Sequence, residues 1–296
     1  MAIIRTVSDA LGRSVRVPSP PERLVSLVPS ITEALFCFGL GSRVVGITAY
    51  CTEPAAEVVD KQTVGGTKNP DLEAILALQP HLVFAVAEEN RRQDVEQLEA
   101  AGCAVYVFEP RTVRDGIDVL WKMAELLGCQ TEIGPRITDI EQDYAETLAL
   151  VATRPRVRVF CPIWKDPYMT INRDTYVHDV LQVCGADNVF AQRQRRFPLA
   201  ADLGRQQEPS GVRYESRDTR YPRVTLEEMA ALRPEVIVLP DEPYVFTERD
   251  VPDFLPYTNV PAVQQGRIYL IDGKMVSWYG PRIGRSLRHL RELLVL

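Results

Sequence analysis

The side chains of this sequence that could do chemistry fall into three groups, and none has the spacing of a catalyst. Aromatics stand in short runs shared with proline, glycine or charge: Tyr50, Trp164 with Tyr168, Tyr221, Tyr244 with Phe246, and Trp278 with Tyr279. Stretches such as IWKDPYM, DTRYPRV and SWYGPR read as loops, whereas core aromatics sit inside apolar periodic runs. Packing explains any one of these rings as well as binding does. As a group they suit a flat, apolar macrocycle with a polar rim. The second group is arginine: Arg193, Arg195, Arg196, Arg205, Arg213, Arg217, Arg220 and Arg223 share one stretch with four acids. That pattern is either a solvated face or a fork for carboxylates or phosphate. Arg282 follows the last aromatic pair and is expected at the same rim. The third group is acidic. Glu88 and Glu89 fit rim contacts or a helix start near Asn90, and Glu73 and Glu227 form a pair whose meaning depends on a repeat.

Other chemistries lack their residues. There is no G-x-S-x-G elbow and no G-x-x-x-x-G-K-[ST] phosphate loop. Gly39-Leu40-Gly41 follows a helix pattern instead of a strand, so it reads as a helix stop. His81, His178 and His289 lie far apart without metal-ligand spacing, so any metal handled should arrive already chelated. No catalytic residue, metal site or intrinsic cofactor is expected, and the protein is read as a non-enzyme. The net charge of −6 argues against nucleic acid, and no apolar run is long enough for a membrane span. The first residues show neither a basic n-region nor an apolar h-region, which reads as cytoplasmic unless a native signal was removed. Six widely spaced cysteines without a C-x-x-C pair suggest reduced, buried thiols. A monomer is expected.

The elements that must position these groups repeat. Asp71–Phe84 (DLEAILALQPHLVF) aligns without a gap on Thr225–Val238 (TLEEMAALRPEVIV). Each reads as an N-capped amphipathic helix, a proline stop and a buried strand, the cadence of an α/β unit. Ser30–Val45 and Thr175–Phe190 form a second pair, each a capped helix, a glycine stop (Gly39, Gly185) and a short extended run. Two pairs in the same order indicate duplication, which makes Glu73 and Glu227 equivalent: dipole compensation at two helix starts, or paired carboxylates for a two-fold partner. Between the halves, Ile137, Ile140, Tyr144, Leu148 and Val151 share one face of a helix ending near Thr153, with Pro135 in its first turn. The expected fold is therefore two Rossmann-like α/β lobes with mostly parallel sheets joined by one long, rigid helix. Its parts are residues 1–130, a connecting helix at 131–153, and 154–296, with the ligand held in the cleft where the lobes face each other.

The runs RLVSLVPSITEALFCFGLGSRVVGIT, VGGTKNPDLEAILALQPHLVFA, TLEEMAALRPEVIVLP and WYGPRIGRSL resemble the periplasmic-binding-protein family for cobalamin and iron siderophores, closest to its cobalamin branch. The resemblance runs from about Arg23 to the C-terminus. It implies a class III substrate-binding protein delivering a corrinoid, haem or ferric siderophore to an ABC importer. It implies ligand contact at Tyr50, Trp164, Tyr221, Trp278 and Tyr279, and docking of Glu73 and Glu227 on arginines of a permease dimer. Gly66 and Val86 stand where that family's pocket carries tryptophan, and the arginine-rich stretch is longer. The alternatives are a cytosolic corrinoid or tetrapyrrole carrier without a permease, and a non-catalytic subunit associated with a metallocluster.

Overall fold

The computed structural model describes residues 3–195 and 218–294. The chain divides into two compact units: Met1–Pro110, Arg114–Glu141 and Trp278–Ile283 in the first, Arg111–Val113, Gln142–Ser277 and Gly284–Leu296 in the second. The first opens with an antiparallel hairpin of β1 (Ile3–Ser8) and β2 (Ser14–Ser19). The apolar runs LVS, VVGI, LVFAV and VYVF become β3 (Leu24–Ser26), β4 (Val44–Ile47), β5 (Leu82–Val86) and β6 (Val105–Phe108). They pair in parallel in the order β4-β3-β5-β6. Continuous apolar strands suit a sheet covered on both faces. Its helices are α1 (Pro29–Cys37), the short α2 (Ala55–Val58), α3 (Leu72–Ala77), α4 (Arg92–Ala100) and most of α5 (Val113–Leu127). Val25, Val83, Val105 and Val107 pack with Ile75 of α3 and Val95 and Leu98 of α4.

The second unit repeats this plan. β7 (Val157–Phe160), β10 (Ala186–Asn188), β11 (Val236–Pro240) and β12 (Ile268–Ile271) form a parallel sheet in the order β10-β7-β11-β12. In each unit the second sheet strand therefore flanks the first on one side, and the third and fourth follow on the other. A small pair, β8 (Pro162–Trp164) and β9 (Met169–Thr170), is inserted after β7. The helices are α7 (Tyr176–Val183), α8 (Leu226–Leu232), α9 (Pro261–Gln264), α10 (Lys274–Ser277) and α11 (Ile283–Leu294).

The repeat extends to single residues. Asp71 caps α3 through Ala74 N, and Thr225 caps α8 through Glu228 N in a reciprocal capping box. Neither helix is stopped by its proline alone. Gln79 (φ 46°) and Arg233 (φ 49°) first turn left-handed, and Pro80 and Pro234 follow. Gly39 and Gly185 take positive φ just after α1 and α7, as expected for helix stops. α1 differs from its expected form. Pro29 occupies its first position after Val28, so Ser30 is inside the helix and does not cap it.

α6 (Gln130–Ala152) carries the chain from the first unit into the second. It starts a turn earlier than Pro135 suggests, so the proline lies inside the helix and not in its first turn. Its buried stripe also corrects the sequence reading. Ile133, Ile137 and Thr147 are buried, with Ile140, Tyr144 and Val151 half-buried between and beyond them, whereas Leu148 is exposed. The spacing 133-137-140-144-147-151 is the true stripe, and Thr147 holds it by bonding Asp143 O at 2.7 Å and Arg291 Nη1 at 3.0 Å. Among the described residues, no helix is long and apolar enough to cross a membrane.

Candidate functional site

Parallel α/β sheets present their ligand-binding loops at the C-terminal ends of the strands, where no neighbouring strand constrains the chain. In the first unit that edge carries Tyr50, Glu88, Glu89 and the segment containing Trp278, Tyr279 and Arg282. Tyr50 follows β4 and is 62% exposed, with its ring against Gly66. A Cβ on Gly66 would lie 2.6 Å from Asn69 Oδ1 and 3.1 Å from the Tyr50 ring, so glycine leaves Tyr50 its place. Next in sequence, Cys51 accepts from the Thr32 hydroxyl at 3.0 Å and shares a hydrogen bond with the Thr48 hydroxyl at 3.2 Å, and burial raises its pKa, which keeps the thiol neutral.

The closing aromatics are buried. Arg282 (7% exposed) donates to both oxygens of Glu33 at 2.8 and 2.6 Å and lies 4.8 Å from the centre of the Trp278 ring. This corrects its expected place at a rim: it is an interior cation held by an α1 carboxylate. Tyr279 donates its hydroxyl to Glu89 Oε1 at 3.1 Å. Burial first, then the Glu89 charge, pushes that hydroxyl well above its ordinary pKa, so it remains a donor. Glu88 is half-buried beside it in sequence, and its carbonyl accepts from Lys68.

Two residues that hold this edge escaped the sequence reading. Asn90 does not open a helix; α4 begins at Arg92. Its buried amide accepts from Val86 N at 2.8 Å and donates to Leu27 O and Thr67 O at 3.3 and 3.0 Å. One side chain thus joins three loops. Glu33 had a visible signal, as the only charge in the apolar helix PSITEALFC.

The second unit's edge is aromatic. Trp164, half-buried at the end of β8, meets Tyr244 edge-on with ring centres 5.9 Å apart. Val245 beside it is largely exposed. Lys165 Nζ lies 2.8 Å from both Asp250 Oδ1 and Asp253 Oδ2, and the Tyr168 hydroxyl donates to Asp253 at 2.7 Å. Burial would raise Asp250, but bonds from Lys165 and Thr247 outweigh it and lower its pKa; Lys165 and then Tyr168 lower Asp253. Tyr221 is half-buried with the Arg220 guanidinium 5.6 Å from its ring centre, in a stretch paired with β9 through Thr170 N to Pro222 O. Arg220 is held by both oxygens of Asp218, Arg193 pairs with Glu228 at 2.6 Å, Arg195 is buried and Arg223 is exposed. Arg196, Arg205, Arg213 and Arg217 lie outside the described residues.

Glu73 and Glu227 are both exposed in the first turn of their helices. Glu227 accepts from the Tyr257 hydroxyl at 2.9 Å, and its pKa is lowered, first by its backbone amide and then by Tyr257. Among the described residues, no group of three His, Cys, Asp or Glu is placed to hold a metal ion. His178 is buried against Asn188, and His81 accepts from Glu22 N. The six cysteines are free thiols. A 690 Å³ depression lined by Leu150, Arg154, Cys184 and Arg291 lies at the opposite, N-terminal end of the second sheet, away from the aromatics.

The sequence is 26% identical to an uncharacterized ABC transporter substrate-binding lipoprotein, YvrC, of Bacillus subtilis, over 97% of this chain and 84% of that protein. It is 26% identical to a vitamin B12-binding protein of Photorhabdus laumondii, over 74% of this chain and 70% of that one. The fold matches the apo periplasmic heme-binding protein RhuT of Roseiflexus sp. RS-1 with a TM-score of 0.73 at 23% identity, covering 92% of this chain and 97% of that one. Residues 24–275, which hold both parallel sheets together with Tyr50, Trp164 and Tyr244, match the family described as periplasmic binding protein, and the chain belongs to that family.

Proposed function

We propose that this protein binds a chelated metal ligand, a corrinoid first among the candidates, and presents it unchanged to an ABC importer. The observation that carries this reading is the pair of aromatic sheet edges: Tyr50 stands exposed at one, Trp164 and Tyr244 form a wall at the other. Such surfaces suit a large apolar macrocycle. Tyr50, Trp164 and Tyr221 are assigned as direct contacts with Glu88 at the rim; Trp278, Tyr279 and Arg282 back the first surface from inside. Exposed Glu73 and Glu227 are assigned to permease docking, a role that puts the folded protein on the outer side of the cytoplasmic membrane. The vitamin B12-binding relative supports a corrinoid; the fold shared with a heme-binding protein supports haem as the second reading.

Spectral titration with cyanocobalamin, hemin and a ferric siderophore tests this reading. One chelate should bind with a shifted absorption band, and binding of none would overturn it. Trp164→Ala should weaken the bound chelate by about 1–3 kcal/mol, the scale of a buried aromatic anchor; unchanged affinity would remove Trp164 from the site.

A further inference from the structure

The wall formed by Trp164 and Tyr244 is the end of a longer stack. Tyr244 meets Phe246 at 4.7 Å, Phe246 stacks on Tyr168 at 6.5 Å, and Tyr168 meets Phe254, which is wholly buried near Phe160. The rings run from core to edge, but they come from two stretches far apart in sequence, the turn at 164–168 and the loop at 244–254. Ring contacts hold such stretches together without fixing their register, because dispersion is weakly directional. Directional contacts are concentrated at one cation. Lys165 donates to Asp250 Oδ1, 85 positions away, and lies equally close to Asp253 Oδ2. Asp253 also accepts from Tyr168, and the second oxygen of Asp250 accepts from the amide and hydroxyl of Thr247 at 2.9 and 3.2 Å. Both carboxylates therefore belong to the loop that carries Tyr244, and their shared ammonium belongs to the turn that carries Trp164.

We propose that Lys165 is a positioning residue for ligand binding: by bridging Asp250 and Asp253 it holds Trp164 against Tyr244, so that the two rings form one preformed wall. This rests on the reading that the aromatic edge is the ligand surface. Without the ammonium, two neighbouring carboxylates, one of them buried, face each other with only Thr247 and Tyr168 to satisfy them. The 244–253 loop brings those carboxylates to water by moving off the turn, and takes Tyr244 with it. A wall assembled only on binding costs ordering free energy that a preformed wall does not.

The test uses the full chain and two independent readouts. With Trp121→Phe and Trp278→Phe, Trp164 is the remaining tryptophan, and acrylamide quenching in the absence of ligand reports its cover. Lys165→Met should make Trp164 more quenchable, and Lys165→Arg should restore the wild-type value. In the chain with all tryptophans, Lys165→Met should weaken cyanocobalamin by about tenfold, as expected when a contact loses its preset geometry, and Lys165→Arg should recover most of that loss. Unchanged quenching, or raised quenching with unchanged affinity, overturns the proposal. If Lys165→Met does not fold, the double variant Lys165→Met, Asp253→Asn removes the cation with one of its carboxylates and is judged by the same criteria. If the wild type binds none of cyanocobalamin, hemin and the ferric siderophore, the ligand reading fails by itself, and the quenching arm still decides whether Lys165 holds the wall.

Discussion

Substituting Arg282 would strip Glu33 of both its guanidinium bonds inside the first unit. Leaving one member of a buried ion pair uncompensated costs about 3–5 kcal/mol, so Arg282→Met should lower the urea unfolding free energy by that order. Arg282→Met combined with Glu33→Gln should cost less than the single change; an equal or larger loss would show that packing on Trp278, not charge, is what Arg282 supplies. His178 gives a pH signature of the opposite kind. Burial, its largest influence, lowers its pKa, so the folded chain resists protonation. Its contribution is complete above about pH 6.5, where both states are neutral, and shrinks as acid protonates the unfolded chain first. Unfolding midpoints at pH 7.5 and 5.5 should therefore fall in acid, and His178→Gln should flatten that slope. At this scale the sequence was legible where a residue broke its local pattern. Arg282 was misplaced because its neighbours Gly280 and Pro281 look like a surface loop, while its partner stands 249 positions away. No local spacing signals such a pair.

The repeated helix–strand element was the most legible feature, because its caps, apolar spacing and prolines all act within a dozen residues. What it hid was the left-handed residue before each proline. An L-residue there carries a steric cost that glycine lacks, so Gln79→Gly and Arg233→Gly should each stabilise the protein by about 0.5–1 kcal/mol in chemical denaturation. Destabilisation by either would mean that its side chain contributes packing that outweighs the strain. Thr225→Ala should cost about 1 kcal/mol, since it opens a reciprocal cap. α6 shows the limit of reading by hydrophobicity alone. Leu148 fits an apolar stripe on paper, but Thr147 occupies the buried position because its hydroxyl has both a donor and an acceptor to meet.

Across the whole molecule, the two parallel sheets and the repeated helix–strand units could be read from the sequence because each rests on contiguous runs, whereas the place of Trp278–Ile283 in the first unit, and not in the 154–296 lobe, could not. The site could be read only as a list of aromatics: whether a ring is exposed, like Tyr50, or interior, like Tyr279, depends on residues brought together from distant parts of the chain. The proposed docking role of Glu73 and Glu227 belongs to this scale. If that proposal holds, changing both to lysine should abolish uptake of the bound chelate in cells that carry a cognate permease while affinity in solution stays unchanged, since like-charge contact at an interface costs several kcal/mol. Loss of affinity in the double variant would return these acids to the fold or the ligand site.

The bond between Glu33 and Arg282 also has a consequence for how the protein is made. The first unit includes Trp278–Ile283, so it lacks one of its own segments until synthesis has passed residue 283. During synthesis Glu33 and Glu89 wait in an unfinished lobe for partners 249 and 190 positions downstream. A nascent chain stalled at residue 270 should therefore be protease-sensitive in its N-terminal half, and one released a few residues past Ile283 should not.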